Sequence, residues 1–149
     1  MKKTVLISFF LLSVSLSLNL YQTRSNIPSN SDISYSELFF VINNLDIKYK
    51  DIVFAQALIE SGHFKSDLFI KNQNLFGMRF PKKRQTTAID EENGYACYTT
   101  WIDSVEDYKL WQQAILKNKS VTKEEYLAIL GDVHAEAPNY TTVIKKIIL

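Results

Sequence analysis

The sequence predicts an α+β domain, mainly helical with a small antiparallel β-lobe, and three observations carry that reading. Helical spacing with capping signals dominates residues 34–61, short β-favouring pieces separated by turn residues occupy 76–101, and helical spacing resumes from 103 to the end. The composition agrees with a folded chain. Of 149 residues 46% are hydrophobic and 22% charged, with only four Gly and three Pro, which excludes disordered and fibrous classes.

The first element follows from Ser34-Tyr35-Ser36-Glu37, a capping box, with Leu38, Phe39, Ile42 and Leu45 behind it at helical spacing, so a helix is expected near 35–45. The second, Asp51 to Ser61, is apolar around most of its circumference and belongs in the middle of a domain. Gly62 is placed to end it in the left-handed conformation. Strands are expected at Met78–Phe80, Thr86–Ile89 and Tyr95–Trp101, with Asn93-Gly94 as a tight hairpin turn. Asp103 or Ser104 is placed to cap a helix presenting Tyr108, Trp111, Gln112 and Ile115 on one face. Thr122 and Glu125 form another capping box, ahead of a helix closed by Gly131. A last helix follows Pro138, with Tyr140, Val143, Ile144, Ile147 and Ile148 on one stripe.

Ahead of the domain, Met1-Lys2-Lys3 and an uncharged apolar run to Leu20 read as an export signal over 1–20 or an uncleaved membrane anchor. Residues 21–33, rich in Ser and Asn, read as a linker, and 34–149 as the folded domain. The expected location is therefore periplasm, cell envelope or extracellular space. Lys+Arg number 17 against 16 Asp+Glu, and discounting Lys2 and Lys3 leaves the chain near neutrality, so nothing steers it to nucleic acid. The single cysteine, Cys97, forms no internal disulfide and is read as a small buried hydrophobe. No Cys/His cluster has zinc-ligand spacing, and neither metal nor cofactor is expected. Stability must come from packing, and a domain of this size buries roughly two thirds of its unfolded surface.

Glu60 is the leading candidate for chemistry. It stands near the C-terminal end of the most apolar helix, one turn after Gln56, where the negative end of the helix dipole and an apolar surround both favour the protonated carboxyl. A general acid needs that form; an exposed Glu at a frayed helix end is the plain alternative.

The segment Ala55-Gln56-Ala57-Leu58-Ile59-Glu60-Ser61-Gly62 followed by Asn74-Leu75-Phe76-Gly77 resembles the bacterial glucosaminidase family of cell-wall hydrolases (mannosyl-glycoprotein endo-β-N-acetylglucosaminidase-like). Its members carry an apolar helix ending in Glu-Ser-Gly and then Asn-Leu-Phe-Gly. Tyr95-Ala96-x-Tyr98-x-x-Trp101-x-x-Ser104-x-x-Asp107-Tyr108 and Ala137-Pro138-Asn139-Tyr140 are similar to later signatures of that family, in the same order. The likeness spans residues 35–149.

The resemblance implies a lysozyme-like fold that cleaves the β-1,4 bond between N-acetylglucosamine and N-acetylmuramic acid in peptidoglycan, with glycan strands as partner and Glu60 on the family's catalytic acid. Asn74, Leu75, Phe76 and Gly77 would lead toward the smaller lobe and help form the cleft. A second carboxylate, which many glycosidases use about 5 Å or about 6.5–9.5 Å away, falls by this likeness on Asp90, beside Glu91 and Glu92. The same acidic run also describes a solvated hairpin tip, and the substrate's own acetamido group is an alternative nucleophile.

Tyr98 and Trp101 suit stacking on sugar rings or a place in the core, and Tyr140 suits the cleft or packing. His63 and His134 stand where the family tends to carry aromatic residues. Arg79 with Lys82, Lys83 and Arg84 is read as a solvated basic loop, with contact to anionic wall components as the alternative. Two other functions share the pattern: a non-catalytic wall-binding module, and a lytic transglycosylase. Transglycosylases carry a Glu-Ser pair but continue to a Gly-Leu-Met-Gln element that this sequence lacks.

Overall fold

Ser34 opens the first helix of the computed structural model, which describes residues 33–117, 119–133 and 139–148. Residues 1–20, expected as an export signal or anchor, the expected linker as far as 32, and His134, Ala137 and Pro138 lie outside the described residues. Helix α1 (Tyr35–Asn44) carries the expected box: Glu37 N–H donates to Ser34 Oγ at 3.2 Å and Ser34 N–H donates to Glu37 Oε2 at 2.8 Å. Helix α2 (Lys50–Glu60) is central, packing against α1 and against the last helix, α6 (Tyr140–Ile148). That setting is why α2 is apolar nearly all round, with Ile52, Val53, Ala55, Ala57 and Leu58 all buried.

Beyond α2 the chain makes a left-handed turn in which Gly62, His63 and Phe64 have φ of 57, 54 and 68°. Gly62 takes the conformation expected of it; the next two residues share it at a steric cost that glycine escapes. Ser61 holds the turn, donating its hydroxyl to Ala57 O at 2.6 Å and accepting from Phe64 N–H at 3.0 Å. A short helix α3 (Asp67–Asn72), capped by Ser66, follows; the sequence reading contained no helix there.

The β-lobe differs from expectation. Its sheet is a two-stranded antiparallel hairpin of β1 (Asp90–Glu92) and β2 (Tyr95–Cys97), pairing Asp90 with Cys97 and Glu92 with Tyr95, plus one bridge between Arg79 and Tyr95. Thr86–Ile89 is irregular, and β2 ends four residues before Trp101. Ala96 and Tyr98 form the buried face, which leaves Cys97 half-buried where a buried side chain was expected.

Trp101 instead starts helix α4 (Trp101–Leu116), because Thr100 is the N-cap and Asp103 closes the box. The local Thr-x-x-Asp pairing displaces the start expected at Asp103 or Ser104. Helix α5 (Lys123–Val133) keeps its Thr122–Glu125 box but runs through Gly131, the expected stop. There a β-carbon would stand 3.4 Å from Thr141 Cγ2, so the glycine serves close approach of α5 and α6. Ile52, Ala55, Leu116, Tyr126, Leu127, Leu130, Tyr140 and Ile144 make one buried cluster joining α2, α4, α5 and α6. Each fully buried aliphatic side chain contributes about 1.5–3 kcal/mol. Among the described residues, no helix is long and apolar enough to cross a membrane.

Candidate active site

Helix α2 delivers Glu60 as its last residue, half-buried, into a pocket of about 460 Å³. Gln56 from the turn below also lines the pocket, as do Leu68, Phe76, Gly77, Met78, Arg79 and Trp111. The two carboxyl oxygens of Glu60 have different neighbours. Tyr140, at the head of α6, donates its phenol hydrogen to Oε1 at 2.7 Å, and Gln56 Nε2 donates to the Tyr140 oxygen at 3.0 Å. Oε2 lies beside Gly77, where an added β-carbon would stand 3.6 Å from it. Gly77 has φ of 61°, so the chain passes Glu60 in a conformation that suits glycine.

The Asn-Leu-Phe-Gly segment divides its labour. Asn74 is buried and ties the segment to the lobe: its Nδ2 donates to Met78 O at 3.0 Å and Ala96 O at 2.9 Å, and its Oδ1 accepts from Met78 N–H at 2.9 Å. Leu75 is fully buried, its N–H donating to Ser104 Oγ at 3.3 Å. Phe76 lines the pocket with its ring centroid 4.4 Å from that of Tyr108. Asn74 and Leu75 thus anchor what Phe76 and Gly77 present.

The structure gathers Gln56, Glu60, Phe76, Gly77 and Tyr140 at one place. Tyr98 and Trp101 are buried and are not among the residues lining the pocket. Asp90 is exposed on β1, its Oδ1 accepting from Glu91 N–H at 2.8 Å, and does not line the pocket either. His63 is exposed and its Nδ1 lies 3.0 Å from the Tyr35 hydroxyl.

Arg84 departs from the solvated basic loop expected of it. Its guanidinium makes a two-pronged contact with Asp107, at 2.6 and 2.9 Å, and Asp107 also accepts from the Tyr98 hydroxyl at 2.8 Å. Burial pushes the Asp107 carboxyl up, but hydrogen bonds from Arg84, Tyr98 and Thr86 together hold it below the usual carboxylate range. This buried group straps loop 81–89 across the fold, helped by Thr87 Oγ1 donating to Asp103 O at 2.6 Å. Arg84 thereby reaches the pocket wall as a paired cation. Arg79 stands at the same wall, its guanidinium carbon 3.9 Å above the Tyr95 ring.

Trp111, Tyr95, Met78, Arg84 and Tyr108 complete a wall that motif reading did not assign to the site. The one available signal lay in α4, where Gln112 shares a stripe with Tyr108: an amide on an apolar face demands buried partners.

Carboxyl, amide and aromatic walls in one cleft suit a polymer of neutral sugar rings, with one acid able to protonate a bridging oxygen. No curated protein sequence matches the chain at a significant level. The catalytic domain of the autolysin Auto from Listeria monocytogenes is similar in structure, with a TM-score of 0.50 at 19% identity, covering 89% of this chain and 92% of that one. That likeness shows the lysozyme-like fold. The glucosaminidase family, described as mannosyl-glycoprotein endo-β-N-acetylglucosaminidase, matches residues 41–149, and the chain belongs to this family of glycoside hydrolases.

Proposed function

We propose that the chain is an exported peptidoglycan hydrolase of the endo-β-N-acetylglucosaminidase type, with Glu60 as general acid. The observation that carries this reading is the placement of Glu60 at the end of a buried helix, one oxygen on the Tyr140 phenol and the other beside Gly77 in an open pocket. Family membership supports the reaction, and the Listeria domain's role as an autolysin supports the wall polymer as substrate. Segment 1–20 acts as the export signal, and 34–149 is the catalytic unit.

In the reaction, Glu60 gives its proton to the glycosidic oxygen as the bond from C1 of N-acetylglucosamine breaks, and the bonding electrons leave with the muramic acid oxygen. Positive charge at C1 is met by the acetamido carbonyl of the same sugar, or by water activated by a second carboxylate, for which Asp90 is the candidate. Water supplies hydroxyl to C1, and its remaining proton returns to Glu60, or to the second carboxylate in the alternative. Phe76 and Trp111 offer apolar faces to the sugar rings. Arg79 stands where the anionic stem peptide of muramic acid could be met.

The test incubates residues 34–149 and the Glu60→Gln variant with purified peptidoglycan and identifies new ends by mass spectrometry. The expected products are reducing N-acetylglucosamine ends, with a loss of about 100- to 10,000-fold in the variant. Anhydro-muramic ends would identify a lytic transglycosylase, and binding without cleavage a wall-binding module.

A further inference from the structure

Behind the pocket, five buried side chains from four helices join into one continuous line of hydrogen bonds that ends on Glu60. It begins at the backbone of Lys48. Lys48 N–H donates to Gln112 Oε1 at 2.7 Å while Gln112 Nε2 donates to Lys48 O at 3.0 Å, and this two-point contact fixes which way the amide faces. Gln112 Nε2 also donates to the Tyr126 hydroxyl at 2.9 Å. The Tyr126 and Tyr108 hydroxyls lie 2.5 Å apart, and Tyr108 donates to Gln56 Oε1 at 2.5 Å. Gln56 Nε2 donates to Tyr140, which donates to Glu60 Oε1.

Each phenol has one hydrogen to give, so the polarity of the line can be followed. Tyr108 spends its hydrogen on Gln56, so Tyr126 must be the donor between the two phenols. From the Gln112–Tyr126 bond onward every donor then points toward Glu60. The two ends agree independently: the Lys48 backbone sets the direction at one, and the carboxyl oxygen accepts at the other. All five side chains are buried, and burial pushes the Tyr108, Tyr126 and Tyr140 phenols up, so they remain neutral donors.

We propose that Gln112, Tyr126 and Tyr108 are positioning residues, forming with Gln56 and Tyr140 a one-way hydrogen-bond line that keeps Oε1 of Glu60 an acceptor and so holds the acid proton on Oε2, the oxygen beside Gly77. The proposal rests on the reading of Glu60 as the acid. A carboxyl's hydroxyl oxygen accepts a hydrogen bond more weakly than its carbonyl oxygen, so the proton is disfavoured on Oε1 for as long as the Tyr140 phenol is aimed there. Turning it would reverse or break each bond behind it, as far as an amide that the backbone holds fixed. The line thereby biases the proton toward one of the two oxygens, and hydrogen bonds in such a chain polarise one another.

The test is a double-mutant cycle between a remote and a near member of the line, Tyr126→Phe and Tyr140→Phe, which keep the rings and remove the hydroxyls. Tyr126→Phe is expected to lower kcat about three- to tenfold at unchanged KM, as coupling through a connected network does. In the Tyr140→Phe background it is expected to lower kcat no further. Losses that multiply across the two sites overturn the proposal.

Leu130→Val loosens the same helix through packing alone and keeps kcat; a loss there equal to that of Tyr126→Phe would make the effect structural and also overturn it. Should Tyr126→Phe fold poorly, Gln112→Met removes the first side-chain donor instead, with the same expected outcomes. A second readout needs no turnover. With tyrosines labelled at the phenol carbon, Tyr126→Phe shifts the Tyr140 resonance, and an unmoved resonance overturns the line even if Glu60→Gln shows that another group is the acid.

Discussion

Gly77 and Glu60 come so close that a β-carbon on the glycine would stand 3.6 Å from the glutamate's Oε2. Contact at that distance is ordinary; the left-handed backbone, with φ of 61°, is what other residues resist. Gly77→Ala is therefore expected to lower stability by about 1–2 kcal/mol. On the reading of Glu60 as the acid it should also lower kcat by about tenfold, because a methyl would sit against Oε2 in the pocket. Thermal melts and release of reducing ends check the two parts separately.

Asp90 gives the sharpest distinction between the two ways of meeting positive charge at C1. Its exposure on β1 predicts that Asp90→Asn changes kcat by less than about threefold, against the loss of about 100-fold or more expected of Glu60→Gln. Parallel rates on one peptidoglycan preparation decide it, and a loss for Asp90→Asn approaching that of Glu60→Gln would establish the two-carboxylate scheme.

The Arg84–Asp107 pair predicts a dependence of stability on acidity. Asp107 is held below its ordinary value of 3.8, so its contribution is complete above that value and is lost as pH falls through the lower folded value. Denaturant titrations from about pH 6 to about pH 2 should show stability falling in the lower part of that window, less steeply in Asp107→Asn. Arg84→Met leaves a buried carboxylate without its cation and is expected to cost about 2–4 kcal/mol at neutral pH.

At Lys117, which ends α4 with φ of 48° and is exposed, the expectation has the opposite sign. Lys117→Gly removes the left-handed strain of an exposed side chain. It should raise stability by about 0.5–1 kcal/mol and leave the rate of wall cleavage unchanged. Unfolding midpoints of the two proteins provide the comparison.

The parts legible in the sequence are those written in local chemistry. The Ser34–Glu37 and Thr122–Glu125 boxes each need only four residues, and both form as read. Helix α3 escaped because six residues are too few to show a period. The sheet was misplaced because β1 is three exposed acids with no alternation to read, whereas Thr86–Ile89 has β-favouring residues and is held instead by loop contacts. Trp101 looked like the end of a strand until the Thr100–Asp103 box claimed it for a helix.

At the site, Gln56 and Glu60 are one helical turn apart and could be grouped by spacing alone. Tyr108 reaches Gln56 across 52 residues and Gln112 reaches Lys48 across 64, and pairings of that range leave no periodic trace. Arg84 was unreadable for a similar reason: its meaning depends on Asp107, 23 residues away on another element.

Glu60 and Tyr140 are separated by 80 residues of chain. A nascent polypeptide therefore carries Glu60 long before Tyr140, and the pair can meet only once α6 has been made and has settled onto α2. On the proposed role of Glu60, a partly synthesised or partly folded molecule would hold its carboxyl in an unaligned state, so competence to cut the wall would arrive only once α6 has docked.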